Sequence, residues 1–305
     1  MIITFGSLNA DMIYRVQDAP EDGQTISADS FSLEAGGKGA NQALAAARDG
    51  ADVLMAGAVG SDPLSRTALE NLAACGVDTG HVMVTDAPTG NAAVLVDSKG
   101  RNRIVISAGA NALATQDQLS DEQLQQASCV LLQLETPVSE VEALIARCRQ
   151  LGVRSILNLA PARVVDIDAL KSVGLLIVNE DEAESLAGEL GCAVSASALS
   201  ATLGVDVIRT LGSRGSEACV DGDEFSVAAF AVKASDTTAA GDCFIGVLAA
   251  GLDRGASLKA AMQRAGVAAA ICCSRTGSQS SIPTAQETDH LFATEPHPNE
   301  SRAIS

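Results

Sequence analysis

The sequence predicts an α/β protein, a doubly wound and mainly parallel sheet flanked by helices, with a small antiparallel β-sheet standing off it. Three observations carry this. Short apolar runs of strand length alternate with helical patterns through the middle of the chain. Two other segments alternate apolar and polar residues around tight turns. The core must also be aliphatic, because 305 residues, 47% of them hydrophobic, include six Phe, one Tyr and no Trp. Ala, Val, Leu and Ile suit the close helix–sheet contacts of a buried parallel sheet.

Residues 1–8 read as a short buried strand running into the polar turn Asn9-Ala10-Asp11. The alternating segments come next, at about 11–35, through Met12, Ile13, Tyr14, Phe31 and Leu33, and at 89–107, around the turn Ser98-Lys99-Gly100. Such alternation argues antiparallel strands with one face in water. Between and after them runs the strand–helix–strand rhythm. Helical patterns fall at 41–48, 63–74, 138–150 and 180–190, and strands at 52–58, 129–132, 155–159, 175–178 and 205–209. Successive βαβ units of this kind build a doubly wound sheet. Residues 212–235 read as short strands, followed by helices at 242–252 and 258–274. One domain is expected over 1–295, with a disordered tail at 296–305, which is polar and contains Pro.

The net charge of −18 and a pI near 4.4 argue against nucleic acid or an anionic membrane surface as a general partner. Eight cysteines without a CxxC spacing read as free thiols in a reducing compartment. The first residues carry no basic stretch or long apolar run, so the expected location is cytoplasmic.

In doubly wound sheets ligands bind beyond the carboxyl ends of the strands, and the informative residues follow strands. Asp236-Thr237-Thr238-Ala239-Ala240-Gly241-Asp242 leads directly into an apolar helix. Small residues let the backbone aim its N–H groups into one concavity, where the helix adds its positive end. A carboxylate at the first helical position could there take a proton from a hydroxyl attacking phosphorus. An ordinary N-cap is the alternative. Gly36-Gly37-Lys38-Gly39-Ala40-Asn41 permits close approach to a ligand or makes a tight turn. It matches neither GxxxxGK[ST] nor GxGxxG. Asn179 with Glu182 fits a capping box, and also a pair that orients Mg²⁺ through waters. Thr210-Leu211-Gly212-Ser213-Arg214-Gly215 could cradle nucleotide phosphates or simply turn. Glu135 has the default reading of a solvated loop acid; Asn9 and Asp11 could bind hydroxyls or form an Asx-turn.

Taken together and in this order, these segments resemble the PfkB (ribokinase-like) carbohydrate kinase family across nearly the whole chain. Supporting stretches include Gly6-Ser7-Leu8-Asn9-Ala10-Asp11, Ala108-Gly109-Ala110-Asn111, Gln133-Leu134-Glu135 and Ala160-Pro161-Ala162-Arg163. The resemblance implies an ATP-dependent kinase acting on a small carbohydrate, with ribose the first candidate. It implies that Asn9, Asp11, Gly37, Lys38, Asn41 and Glu135 line the sugar pocket and that Asp242 is the base. By the same likeness, the Ala240 and Gly241 amides hold charge on the γ-phosphoryl group. Asn179 and Thr210, Leu211, Gly212, Ser213, Arg214 and Gly215 would contact ATP, with Glu182 placing Mg²⁺ through water. A monovalent cation, K⁺, would sit at Asp236, Thr238, Cys272, Arg275, Gly277 and Ser281, mostly on backbone carbonyls. The small sheet would be a lid, and two lids would pack together in a homodimer.

Two departures from the family pattern stand out. Gly266 replaces an Asn or His common near the adenine, and Cys243 a common Thr. The competing readings are a relative acting on fructose, a keto-deoxy sugar acid or a nucleoside, and a sugar-binding regulator that has lost catalysis. Asp242 and the glycine before it speak against the regulator.

Overall fold

The computed structural model describes residues 1–294; the expected disordered tail lies outside the described residues. The chain runs β1 (Ile2–Phe5), β2 (Asn9–Arg15), β3 (Ser30–Gly36), α1 (Lys38–Arg48), β4 (Val53–Gly60), α2 (Pro63–Ala74), β5 (Asp78–Thr85), β6 (Gly90–Val96) and β7 (Asn102–Ser107). It continues through α3 (Asp121–Gln126), β8 (Cys129–Leu132), α4 (Val138–Leu151), β9 (Arg154–Asn158), α5 (Ile167–Leu170), β10 (Leu175–Val178), α6 (Glu180–Leu190), α7 (Ala196–Leu203) and β11 (Asp206–Thr210). The last elements are β12 (Ser216–Val220), β13 (Asp223–Val227), α8 (Ala240–Asp253), α9 (Leu258–Cys273) and α10 (Ala285–Thr294).

The apolar runs are continuous because both faces of these strands are covered: every residue of β1, β4, β8 and β10 is buried. They form a nine-stranded sheet in the order β13-β12-β11-β10-β9-β8-β1-β4-β5. The pairings from β11 to β5 are parallel, and the edge hairpin β12–β13 is antiparallel. The chain winds outward from β1 in both directions, which makes the carboxyl edge beside β1 and β8 the switch point. One apolar layer lies under α1, α8 and α9, around Leu44, Val247 and Met262, and the other under α4, α6 and α7, around Ile145, Leu186 and Leu199. Strand β5 was not anticipated. It is a half-exposed edge strand whose Asp78, Thr79 and His81 interrupt any apolar run. Helix α7 was also missed.

The second sheet has four strands in the order β3-β2-β6-β7. The expected antiparallel pairings are β2–β3 and β6–β7, and the two hairpins join through a parallel pair, β2–β6. Its root is fastened to the main body by Asn111. That side chain accepts from Leu8 N–H at 2.9 Å and donates to Leu8 O at 3.2 Å and Asn9 Oδ1 at 2.8 Å.

At the far end of α1, buried Asp49 is held by two guanidinium groups, Arg254 at 2.7 Å and Arg264 at 2.6 Å. Arg264 also pairs with Asp289 of α10. All eight cysteines are free thiols, five of them buried. Among the described residues no helix is long and apolar enough to cross a membrane.

Candidate active site

Polar residues gather at the carboxyl edge of the parallel strands. Gly6 and Ser7 follow β1, Gln133 and Glu135 follow β8, Asn158 ends β9, Asn179 follows β10 and Thr210 ends β11. Gly37 turns the chain from β3 into α1 with φ +90°, and a Cβ there would lie 2.9 Å from Ser7 O and Asn9 N. Only glycine fits. The turn brings Lys38 N–H to Glu135 Oε2 at 3.0 Å, and Ser7 Oγ donates to the same oxygen at 2.6 Å. Glu135 is therefore bonded into the site and is not a solvated loop acid.

The first turn of α1 reaches the catalytic candidate. Asn41 Nδ2 donates to Asp242 Oδ2 and Gln42 Nε2 to Asp242 Oδ1, both at 3.0 Å. Asp242 is 7% exposed. The Lys38 ammonium is held above its usual range first by the charge of Asp242, against the cost of burial, and further by Glu135 and Glu182. One half-buried cation thus faces three carboxylates.

Helix α8 begins two residues before the expected start, so Asp242 is its third residue and not its first. Cys243 N–H already closes on Ala239 O at 2.8 Å. Ala239 itself is left-handed, φ 58°, at a cost of about 1–2 kcal/mol for a non-glycine residue. This twist opens the amides that follow. Ala240 N–H reaches Thr237 O at 3.3 Å, whereas those of Gly241 and Asp242 find no backbone acceptor among the described residues. Of the two amides expected to face a phosphoryl group, only that of Gly241 is open. Its neighbour Asp242 supplies the second. Open N–H groups at the positive end of a long helix attract an anion.

Toward the small sheet, Asp11 Oδ1 is buried without a partner. Burial first, then the charges of Glu135 and Glu34, push the Asp11 carboxyl up to about 7. Asn9 is buried and tied to Asn111. Asn9, Asp11, Gly37, Lys38, Asn41 and Glu135 thus gather where the small sheet meets the carboxyl edge of the main one. Acceptor-rich walls suit a ligand made of hydroxyls.

On the opposite side, Asn179 and Glu182 form the reciprocal capping box at 2.8 and 2.9 Å. Burial raises the Glu182 carboxyl above its ordinary value, opposed by the Asn179 N–H bond and by Lys38. Thr210 through Gly215 end β11 and make one tight turn, closed by Leu211 N–H to Gly215 O at 2.7 Å. The Arg214 side chain pairs with Glu180. A Cβ on Gly266 of α9 would meet open space.

Several of the residues named for a monovalent cation lie together. Asp236 accepts from Thr238 N and Oγ1 at 2.9 and 2.6 Å and from Gly277 N at 3.3 Å. Burial alone would raise this carboxyl, but those bonds hold it below its ordinary value. Cys272 Sγ lies 2.9 Å from Ser281 Oγ and 3.6 Å from Thr238 O. The Arg275 side chain pairs with Glu287, which leaves its backbone carbonyl as the group named for the cation. Among the described residues no three His, Cys, Asp or Glu side chains form a metal cage.

Sequence reasoning gave no role to Gln42, Gln133 and Asn158, which join into one buried chain ending on Asp242. Their signal was available: each is a polar residue beside a strand's carboxyl end or near the start of the helix that follows the glycine stretch.

The pfkB family carbohydrate kinase model matches residues 1–285. A ribokinase of Haemophilus influenzae is 37% identical over 295 residues, 94% of this chain and 96% of that protein. Among solved structures, Thermotoga maritima ribokinase superposes with a TM-score of 0.90 at 32% identity, over 96% of this chain and 99% of that one. Arabidopsis thaliana ribokinase, solved with ribose and ATP, gives 0.87 at 31% identity with the same coverage. A glycine turn that aims α1 at an aspartate in the first turn of α8, on this sheet and with these likenesses, makes the assignment plain: the chain belongs to the pfkB family of carbohydrate kinases.

Proposed function

We propose that the enzyme phosphorylates D-ribose to D-ribose 5-phosphate with ATP, using Asp242 as general base. The observation that carries this reading is the Asp242 carboxylate, with both oxygens hydrogen-bonded, beside open amides of α8 and a wall of sugar-compatible acceptors. The similarity to ribokinases, one of them solved with ribose and ATP, supports the choice of substrates.

In this reading Asn9, Asp11, Gly37, Lys38, Asn41 and Glu135 orient the sugar, so that one hydroxyl faces Asp242. Asp242 accepts its proton as the hydroxyl oxygen bonds to the γ-phosphorus of ATP and the bond from that phosphorus to the β–γ bridging oxygen breaks, so that ADP leaves. The Gly241 amide, the positive end of α8 and Lys38 stabilise charge on the transferred group. Phosphoryl transfer depends on this positioning and field more than on covalent chemistry. Asn179 and the turn from Thr210 to Gly215 hold the nucleotide, and the open space beside Gly266 leaves room for its base.

Mg²⁺ keeps most of its water and binds through phosphates, which fits a site offering Glu182 but no protein cage. When bound it neutralises phosphate charge. The Asp236 carboxylate, the Ser281 hydroxyl and the Thr238 carbonyl are hard oxygen donors with one negative charge, a set that suits K⁺. Exposed Phe31, Leu33 and Val105, which share one face of the small sheet, support its packing against a second copy in a homodimer.

A coupled assay of ATP consumption over pentoses, hexoses, sugar acids and nucleosides, with and without K⁺, tests the proposal. Ribose should give the highest kcat/KM. Preference for another sugar overturns the ribose assignment and leaves the kinase in place.

Asp11 makes sugar binding pH-dependent. Its carboxyl, ordinarily near 3.8, keeps its proton to about 7 beside Glu135 and Glu34. Sugar hydroxyls donate best to the ionised form, so the KM for ribose should rise as pH falls from ~8 to ~6. Stability runs the other way. Between the two values the folded state holds a proton that the unfolded chain has lost, so folding weakens as pH rises through that window. Asp11→Asn should raise KM and flatten both slopes, read from initial rates and from Tm against pH.

A further inference from the structure

We infer that Gln42 is the positioning residue of the catalytic carboxylate, locked by Gln133 so that only its N–H donors can face Asp242. This rests on the reading of Asp242 as base.

Gln42 and Gln133 are completely buried. Gln42 Nε2 places one hydrogen on Asp242 Oδ1 at 3.0 Å and the other on Asn158 Oδ1 at 3.2 Å. Its Oε1 accepts from Gln133 Nε2 at 2.6 Å. An amide could in principle turn over, but here both ends are committed, and a carboxylate accepts only donors. At its other end Gln133 is held by packing, because its Oε1 is buried without a hydrogen-bond partner. Its Oε1 packs so close over Gly6 that a Cβ on residue 6 would come within 2.0 Å of it. Three elements, the segment after β8, α1 and α8, are thereby fixed at one atom, Asp242 Oδ1.

Asn41 cannot do the same work. Its Oδ1 is unpaired and it lines the pocket on the Oδ2 side, where a bound sugar can compete for it. Gln42 is sealed behind the carboxylate and touches no ligand. The two amides therefore divide the carboxylate, with Oδ1 anchored to the interior and Oδ2 turned toward the reacting hydroxyl. The charged and titratable groups facing this arrangement are Lys38 of α1, Glu135 beyond β8, Glu182 of α6, and the thiols of Cys243 and Cys272.

The test compares Gln42→Met, which keeps length and removes both donors, with Gln42→Glu, which keeps the acceptor for Gln133 and sets a second carboxyl against Oδ1. Gln42→Met should lower kcat ~10-fold or more while KM for ribose stays within ~2-fold, since the base is misplaced and the sugar wall is untouched. The acid limb of its kcat profile should move to higher pH, because a carboxylate that loses a donor is harder to ionise. Gln42→Glu should move that limb further, by ~1 pH unit or more, as two adjacent carboxyls share a proton. A packing role alone lowers Tm and leaves the pH profile in place, and that result overturns the inference. If Gln42→Met does not fold, Gln42→Glu decides by the same criterion.

Asp242→Asn, measured beside them, separates the two ideas. If it retains turnover, the base assignment fails. If it loses turnover while both Gln42 variants keep the wild-type kcat and pH profile, the base stands and the positioning role falls.

Discussion

Asp242→Asn should fold normally and turn over ~10²–10⁴-fold more slowly, the range for removing a general base. The fold survives because the site can absorb the new amide. Gln42 is locked by Gln133 and keeps its donor on residue 242, so the asparagine oxygen takes the Oδ1 place. The new NH₂ then faces Asn41, whose unpaired Oδ1 can swing round to accept from it. The swing leaves the Asn41 NH₂ in the buried place its oxygen held, a cost of about 1–3 kcal/mol that the fold can bear, and the sugar wall keeps Asp11, Glu135 and Lys38. The loss therefore falls on kcat, with KM for ribose nearly unchanged, read from steady-state rates and a thermal melt. Turnover near wild type in this variant would exclude Asp242 as the base.

The largest loss of stability is expected from Asp49→Ala. The Asp49 side chain is 1% exposed and draws Arg254 and Arg264 onto α1, while Arg264 continues to Asp289. Removing one member of a buried ion pair typically costs ~3–5 kcal/mol. Here Arg254 and Arg264 keep 40% and 19% of their exposure, so water repays part of the loss. The expected cost is ~2–3 kcal/mol, measured as a lower denaturation midpoint at unchanged slope. Asp49 sits at the opposite end of α1 from Asn41 and Gln42, so kcat in the remaining folded protein should hold.

The parallel core was legible in the sequence because burial on both faces leaves continuous apolar runs. Strands β8 and β10 and helices α2 and α6 fall at the residues expected. Strand β5 was not legible, since an edge strand half in water has the composition of a loop. The site was legible where backbone geometry demands unusual residues, at the glycines before α1 and in the small residues before α8. The exact start of α8 was hidden, because nothing in Ala239 marks a left-handed residue. The amides of Gln42, Gln133 and Asn158 were hidden for another reason: a buried side-chain chain links residues 91 and 200 positions apart, and only the fold brings them together.

The staple at Asn111 makes the small sheet a lever with its fulcrum at Leu8 and Asn9. Strand β2 extends six residues beyond it, to Arg15, or ~20 Å at ~3.3 Å per residue. A tilt of ~10° swings the far tip through ~3–4 Å yet carries Asp11, two residues from the pivot, only ~1 Å. On the function proposed above, doorway and grip would thus be mechanically separate: an entrance at the tip could swing wide while the carboxylate proposed to receive the sugar hardly stirs.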